Sequence, residues 1–330
     1  MLEVVSVGIF VADVVARPVR GTAEKGKLEL VDEILLCSGG SAASTGYSLA
    51  RFGIPTAVIG RVGQDGFGDF LVNEARRHGA ESLLVRDPDA STSATQVLVD
   101  PDGERTFIHA IGANARLVPS DVPLEALRAR GAKLLHLAGF FALPAMEGSD
   151  GSPTRDLFKR ASELGFVTSL DNVWSAKGNW ELIHPVLPHT DIFCPSIHDA
   201  RHISGENHPQ AIAHKLFAMG VRKLVALKMG AEGSLVINRE GEYHYLPIVP
   251  VKTVDGTGSG DAFIAGFLAA WLRGMGLKEC GKYGNAGGAM GVRAMGAMTG
   301  ITDWNELQQL AAGVGEGESG FQKGYGPSPR

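Results

Sequence analysis

The chain has 330 residues, 44% hydrophobic and 20% charged, with a formal net charge of −5, a composition typical of one or two soluble globular domains that bury a core without metal or disulfide. The mild acidity and the lack of any Lys/Arg-rich run leave no electrostatic footprint for nucleic acid or an anionic membrane surface. Three widely spaced cysteines, Cys37, Cys194 and Cys280, have no metal-ligand spacing and point to reduced thiols in a cytoplasmic setting, and no apolar run reaches the length of a membrane span. The first apolar segment, flanked by Glu3 and Asp13, does not read as a signal peptide.

Residues 4–9 open the chain as a strand, apolar without a break, as suits a sheet covered on both faces. Asp13 follows at its end, where open α/β sheets gather ligands. It is either a grip for a hydroxylated ligand or a solvated turn residue. Residues 27–36 alternate weakly through Leu28, Leu30 and Ile34 and predict one or two short strands. Gly39-Gly40-Ser41-Ala42-Ala43-Ser44-Thr45-Gly46 then leads into a helix closed by Gly53, its small residues serving either ligand approach or tight packing. A strand at 56–60 and a glycine-punctuated loop at 63–68 precede a helix over 69–78.

Residues 94–99 and 105–109 flank the turn Asp100-Pro101-Asp102-Gly103 and predict a hairpin, either a flap over a site or an ordinary edge. An edge strand there offers pairing with a second subunit, a homodimer through the lid. Strands at 133–137, 166–170, 191–196 and 223–228, separated by helices, give βαβ units and a parallel sheet, with Asp171-Asn172 ending the second. A turn over 229–234 leads to a strand at 235–237, and 280–293 forms a helix of small residues that includes Asn285. From Gly313 the chain is rich in Gly, Ser and Pro and is expected to be mobile at its end. With no repeat and no linker, residues 1–330 read as one three-layer α/β/α body with a mostly parallel sheet, carrying a small β-sheet lid from about 13–38 and 92–110.

The most informative stretch is Asp255-Gly256-Thr257-Gly258-Ser259-Gly260-Asp261, which runs into the apolar segment 264–272. Three glycines at alternate positions mark backbone that bends tightly or admits something close. The helix that follows leaves unpaired N–H groups at its first turn, which with the helix dipole attract an anion. Asp261 in that turn is either a helix-end residue stabilised by the dipole or a carboxylate set beside an anion hole to accept a proton. No Lys follows Gly260, which excludes a P-loop, and the G-x-G-x-G spacing late in the chain excludes a dinucleotide fingerprint. HExxH, paired-Cys zinc patterns and a G-x-S-x-G elbow are absent.

Taken together, four ordered segments resemble the PfkB-type, ribokinase-like carbohydrate kinases over nearly the whole chain. They are Gly39-Gly40 with Ala50-Arg51-Phe52-Gly53, Gly60-Arg61-Val62-Gly63-Gln64-Asp65-Gly66-Phe67-Gly68, Gly112-Ala113-Asn114, and the 255–261 signature. The resemblance implies ATP-dependent phosphorylation of a hydroxyl on a small sugar or nucleoside, with Mg²⁺ arriving with ATP. It implies Asp261 as general base, with Gly258, Ser259 and Gly260 as the anion hole. Asp13, Gly39, Gly40 and Ser44 would line the acceptor site, and Lys228, Gly230, Gly233 and Asn285 would border the nucleotide. Asp199 would approach the metal through water, and Asp255 would lie at a monovalent cation (K⁺) site.

The sequence departs from the family pattern at three places. Ser44 stands where the family has Asn, Ser196-Ile197-His198-Asp199 replaces N-x-x-E with two shorter side chains, and Gly256 replaces Thr. These departures bear on acceptor and metal contacts more than on reaction type. Two other readings compete with a sugar kinase. One is a nucleoside kinase of the same fold, for which Phe10, Phe140, Phe141 and Trp174 are available to stack on a base, and the other is a kinase-like binding or regulatory protein of weak turnover.

Overall fold

In the computed structural model, which describes residues 1–21 and 25–315, nine strands form one sheet. Their spatial order is Tyr243–Leu246, Ser234–Asn238, Leu224–Lys228, Ile192–Phe193, Val167–Asn172, Leu134–Phe140, Val4–Gly8, Thr56–Ile59 and Glu81–Ser82. All pairings from Leu224–Lys228 to Glu81–Ser82 are parallel, and the other two are antiparallel. Successive side chains enter opposite layers. Val4, Ala226 and Val236 join one apolar cluster, while Val5, Val7, Val225, Leu227, Leu235 and Ile237 join the other. Burial on both faces is why these strands read as unbroken apolar runs.

Helices Ser41–Arg51, Gly66–Arg77, Ser259–Leu272 and Leu277–Gly291 cover one face, and Ser152–Glu163, Ile197–Ser204 and Pro209–Ala218 cover the other. Ser259–Leu272 lies deep in its layer with nine buried residues, Ala262 through Ala270. Its approach to Leu277–Gly291 needs glycine: a Cβ on Gly266 would stand 2.2 Å from the Tyr283 carbonyl oxygen, and one on Gly287 2.2 Å from that of Ala262. The small residues of the 280–293 segment are therefore a packing device between two helices.

Val4–Gly8 pairs with Thr56–Ile59 on one side and Leu134–Phe140 on the other, so the direction of winding reverses at the first strand. The crevice beyond the carboxyl ends at such a point is the usual ligand site of an open α/β sheet. A second, four-stranded sheet springs from there, ordered Glu33–Gly39, Val11–Arg17, Ala94–Val99, Arg105–Ala110. The link between the two sheets is held at Phe10, whose N–H donates to the Asn114 side-chain oxygen at 3.2 Å and whose carbonyl accepts from Asn114 Nδ2 at 2.9 Å. Asn114 thus ties the base of the small sheet to the body.

Several expectations change in detail. Asp13 lies inside strand Val11–Arg17, not in a turn after the first strand, because the chain passes straight from one sheet to the other. Only Glu33–Gly39 forms a strand within the weakly alternating region, and Leu28 and Leu30 are 85% and 84% exposed. The helix expected from 69 starts at Gly66, capped by Asp65, whose carboxylate accepts the Gly68 N–H at 2.8 Å. Strand Tyr243–Leu246 was not foreseen. The Gly-, Ser- and Pro-rich end lies, past 315, outside the described residues. No described helix is long and apolar enough to cross a membrane.

Candidate active site

Gly258 adopts φ 73°, a left-handed conformation that glycine tolerates, and caps helix Ser259–Leu272. This turn aims the helix start at the crevice. The N–H groups of Gly258, Gly260 and Asp261 have no protein partner among the described residues, whereas that of Ser259 reaches the Gly256 carbonyl at 3.3 Å. Three free donors at a helix start form an anion-binding corner. Of the expected anion hole, Ser259 is the member whose N–H is already engaged.

Asp261 lies within the same turn. Burial and then the charge of Asp171 push its carboxyl up to about 7, against the opposing pull of Lys228 and Ser44. Lys228 Nζ pairs with Asp171 Oδ1 at 2.8 Å, with side-chain exposures of 15% and 4%. Burial works against the ammonium, but Asp171 and Asp261 hold it above its usual value, and burial likewise raises Asp171. The Lys228 ammonium would stand 3.5 Å from a Cβ on Gly260, so it overhangs the anion corner. Asp171 was visible only as a strand end; its partnership with Lys228 joins residues 57 apart and had no local signal.

Two cavities meet at the 255–261 segment. The first, of about 300 Å³, is lined by Ser259, Gly260, Lys228, Gly230, Gly233 and Asn285 among others, and so contains every residue expected to border a nucleotide. Asn285 shapes its wall by donating to the Leu246 and Pro247 carbonyls at 3.0 and 2.8 Å. The second, of about 360 Å³, lies between the small sheet and the body, with Asp13, Ser38 and Arg105 on one side and Asp255, Gly256 and Thr257 on the other.

Burial pushes the Asp13 carboxyl up to about 6, against a hydrogen bond from Thr95. Gly39 permits this placement, since a Cβ there would stand 2.0 Å from Asp13 Oδ2. Gly40 is equally tight against the Ile9 carbonyl, at 2.4 Å. The buried hydroxyls of Ser38 and Ser41 have no hydrogen-bond partner among the described residues, and such groups are usually satisfied. Of these only Ser38 lines the second cavity; Gly39, Gly40 and Ser44 lie outside its lining, and Ser44 bears on Asp261 instead. Ser38 was not foreseen as a cavity residue. Substituting Gly39→Ala is expected to displace Asp13 and to raise the acceptor KM about 10²-fold, measured by steady-state kinetics at saturating nucleotide.

Asp199 and Asp255 have other partners. Asp199 completes a helix cap: its N–H donates to Ser196 Oγ at 3.1 Å, and that hydroxyl donates to Asp199 Oδ2 at 2.8 Å. Its carboxylate lines a separate hollow with Ser196 and His198, and its charge helps raise Asp171. No group of three or more His, Cys, Asp or Glu among the described residues could hold an ion alone, so a metal there would share its shell with phosphate and water. Asp255 accepts from the Thr257 N–H at 2.9 Å, the Gly296 N–H at 2.9 Å, the Thr257 hydroxyl and Arg105. Despite burial, these contacts hold it below the ordinary carboxylate range. Three of these contacts fall on Oδ1 and one on Oδ2, so the side chain is fixed within the loop while Oδ2 keeps acceptor capacity.

Of the aromatic residues offered for base stacking, Phe10 and Phe140 are fully buried in the core, and Trp174 packs against Trp180 and His202 away from the second cavity. The aromatic residue that does line that cavity, Phe107, was not foreseen.

Residues 1–304 match the family model described as pfkB family carbohydrate kinase. An uncharacterized sugar kinase of Archaeoglobus fulgidus is 30% identical over 253 residues, covering 77% of this chain and 97% of its own. Aminoimidazole riboside kinase of Salmonella typhimurium is 31% identical over 289 residues, 83% of this chain and 87% of that one. The solved ribokinase of Arabidopsis thaliana, complexed with ribose and ATP, superposes with a TM-score of 0.78 at 24% identity, covering 94% of this chain and 99% of that one. The family uses ATP with Mg²⁺. With the ribokinase-like fold and a match running through both cavities, the chain belongs to the pfkB family of carbohydrate kinases and is a phosphotransferase acting on a sugar or nucleoside hydroxyl.

Proposed function

We propose that the chain phosphorylates a hydroxyl of a small carbohydrate from ATP, with Asp261 as the general base. The observation that carries this reading is the shared wall: residues 255–257 line the acceptor cavity, 259 and 260 line the other, and Asp261 follows directly. A carboxyl at about 7 is matched to neutral pH, where it is ionised often enough to accept a proton yet basic enough to draw one. Gly258 and Gly260 would hold phosphoryl oxygens with their free N–H groups, Ser259 would contribute at the same turn, and Lys228 would neutralise charge above them.

Asp13, Gly39, Gly40 and Ser44 would form the hydroxyl end of the acceptor site. The unpaired Ser38 hydroxyl and the Asp13 carboxyl in the cavity wall favour a hydroxylated ligand. Gly230, Gly233 and Asn285 would border the nucleotide. Mg²⁺ bound with the phosphates would offset their charge, and Asp199 would orient a water in its shell. A nucleoside acceptor is the second reading, favoured by Phe107 in the cavity wall.

The test is ATP consumption by the full chain against a panel of sugars, sugar derivatives and nucleosides, with ATP binding followed separately by calorimetry. Turnover of a carbohydrate supports the proposal, and preferential turnover of nucleosides moves it to the second reading. ATP binding with no acceptor phosphorylated would leave a kinase-like binding protein and overturn both.

A further inference from the structure

The inner face of the lid is laid out in three rows. Strand register places Cys37, Asp13, Thr95 and His109 side by side in the row nearest the hinge. Two residues further along each strand, Leu35, Val15, Val97 and Phe107 form an apolar row. Two residues further again, Glu33 pairs with Arg17 and Val99 with Arg105. The alternation of side chains along a strand puts all three rows on one face. Asp13, Val15, Arg17, Val97, Phe107 and Arg105 all line the acceptor cavity. The cavity is thus asymmetric, with Asp13 at one end and two guanidinium groups at the other, about 13 Å away along the strands by the rise per residue.

Both guanidinium groups are oriented by carboxylates and keep donor capacity. Arg17 Nε donates to Glu33 at 2.8 Å, while among the described residues its Nη1 meets only the Met295 sulfur, at 3.0 Å. A thioether is a weak acceptor, so this N–H is held toward the cavity without a good partner. Arg105 contacts Asp255 and Thr257 through Nη1 alone, and its other nitrogens make no hydrogen bond among the described residues. The Arg17–Glu33 pair is 38% and 39% exposed, a setting in which an ion pair adds little to stability, so fold maintenance does not account for it. A guanidinium fork is suited to bidentate contact with phosphate or carboxylate oxygens.

We infer that the acceptor is an anionic sugar, carrying a phosphate monoester or a carboxylate, whose charged end is held by Arg17 and Arg105 while its hydroxyl end lies at Asp13. This rests on the kinase reading above and narrows its acceptor class. Glu33 and Asp255 aim the two arginines, and the apolar row spans the carbon skeleton between the two ends.

The experiment is steady-state kinetics of the full chain at saturating MgATP on matched acceptors: neutral sugars, their phosphate monoesters, and the corresponding sugar acids. An anionic member should exceed its neutral parent in kcat/KM by about 10- to 100-fold, the scale of a charge-assisted hydrogen bond, and whichever anionic arm wins identifies the charged group. Arg17→Gln should raise the KM for that acceptor about 10- to 100-fold while moving kcat little, and Arg17→Lys should recover part of the loss. A melting curve confirms that each variant is folded, and the wild-type comparison stands without them. Neutral sugars turned over as well as or better than their anionic counterparts would overturn the inference and leave the kinase reading intact. No phosphorylation of any acceptor, despite measurable ATP binding, would remove both.

Discussion

Asp261→Asn is expected to lower kcat by about 10² to 10⁴-fold, the usual contribution of a positioned general base, with nucleotide affinity kept. The amide preserves shape but cannot take a proton. In the wild type, kcat/KM should rise with pH through an apparent pKa near 7, because burial and Asp171 hold the carboxyl there. The residual activity of the variant should lack that limb. A companion stability effect runs the other way. The folded-state value lies above the unfolded one, so the neutral form favours the fold: stability is full below about 4 and declines as pH rises through about 7. The variant carries no such slope. Its Tm should exceed that of the wild type at pH 8 and converge with it near pH 4, as read by scanning calorimetry. Wild-type kcat in Asp261→Asn would remove the base assignment.

Asp171→Asn should have the largest effect on stability. The Asp171–Lys228 pair is 2.8 Å long and little exposed, and removing one member of such a pair leaves the other charge without compensation, at a cost of about 3–5 kcal/mol. The pH profile should move with it. Asp171 raises the Asp261 carboxyl and Lys228 lowers it, so deleting the acid and freeing the ammonium both act downward. The acid limb of kcat/KM should shift to lower pH in Asp171→Asn and to higher pH in Lys228→Met, where two carboxylates lose their common counter-ion. The double variant should be less destabilised than the two single losses added together. Chemical denaturation and pH–rate profiles on the same preparations check both statements. Unchanged stability with an unmoved limb would show that the pair has no influence on the site.

The sequence made legible what local pattern encodes. Unbroken apolar strands implied a sheet covered on both faces, and the alternating hairpin around Asp100-Pro101-Asp102-Gly103 gave strands Ala94–Val99 and Arg105–Ala110. The glycines of 256–260 marked a bend that opens a helix start. Asp13 lines a cavity but was set in the wrong element, since nothing local tells a turn from a strand that changes sheets two residues after the first one ends. The Asp171–Lys228 pair depends on tertiary contact across 57 positions and left no trace in spacing. Arg17 and Arg105 were within reach: both share the strand parity of residues facing the cavity, Arg17 with Asp13 and Val15, Arg105 with Phe107. What hid them was their place in a flap of unknown orientation. Ser196 and Asp199 show the converse, where a family position that suggested metal chemistry also caps the helix Ile197–Ser204.

A single short segment, 255–261, serves as a wall for both cavities and is tied to the small sheet through Arg105 and to the body through Gly296. A molecule seated on either side therefore narrows the fluctuations of backbone that the other side also uses. The entropic cost of arranging the donors at Gly258 and Gly260 is then expected to fall on whichever ligand arrives first, read by calorimetry as tighter binding of each ligand in the presence of the other. Linkage makes the benefit mutual: whatever factor one substrate gains from the other, it returns.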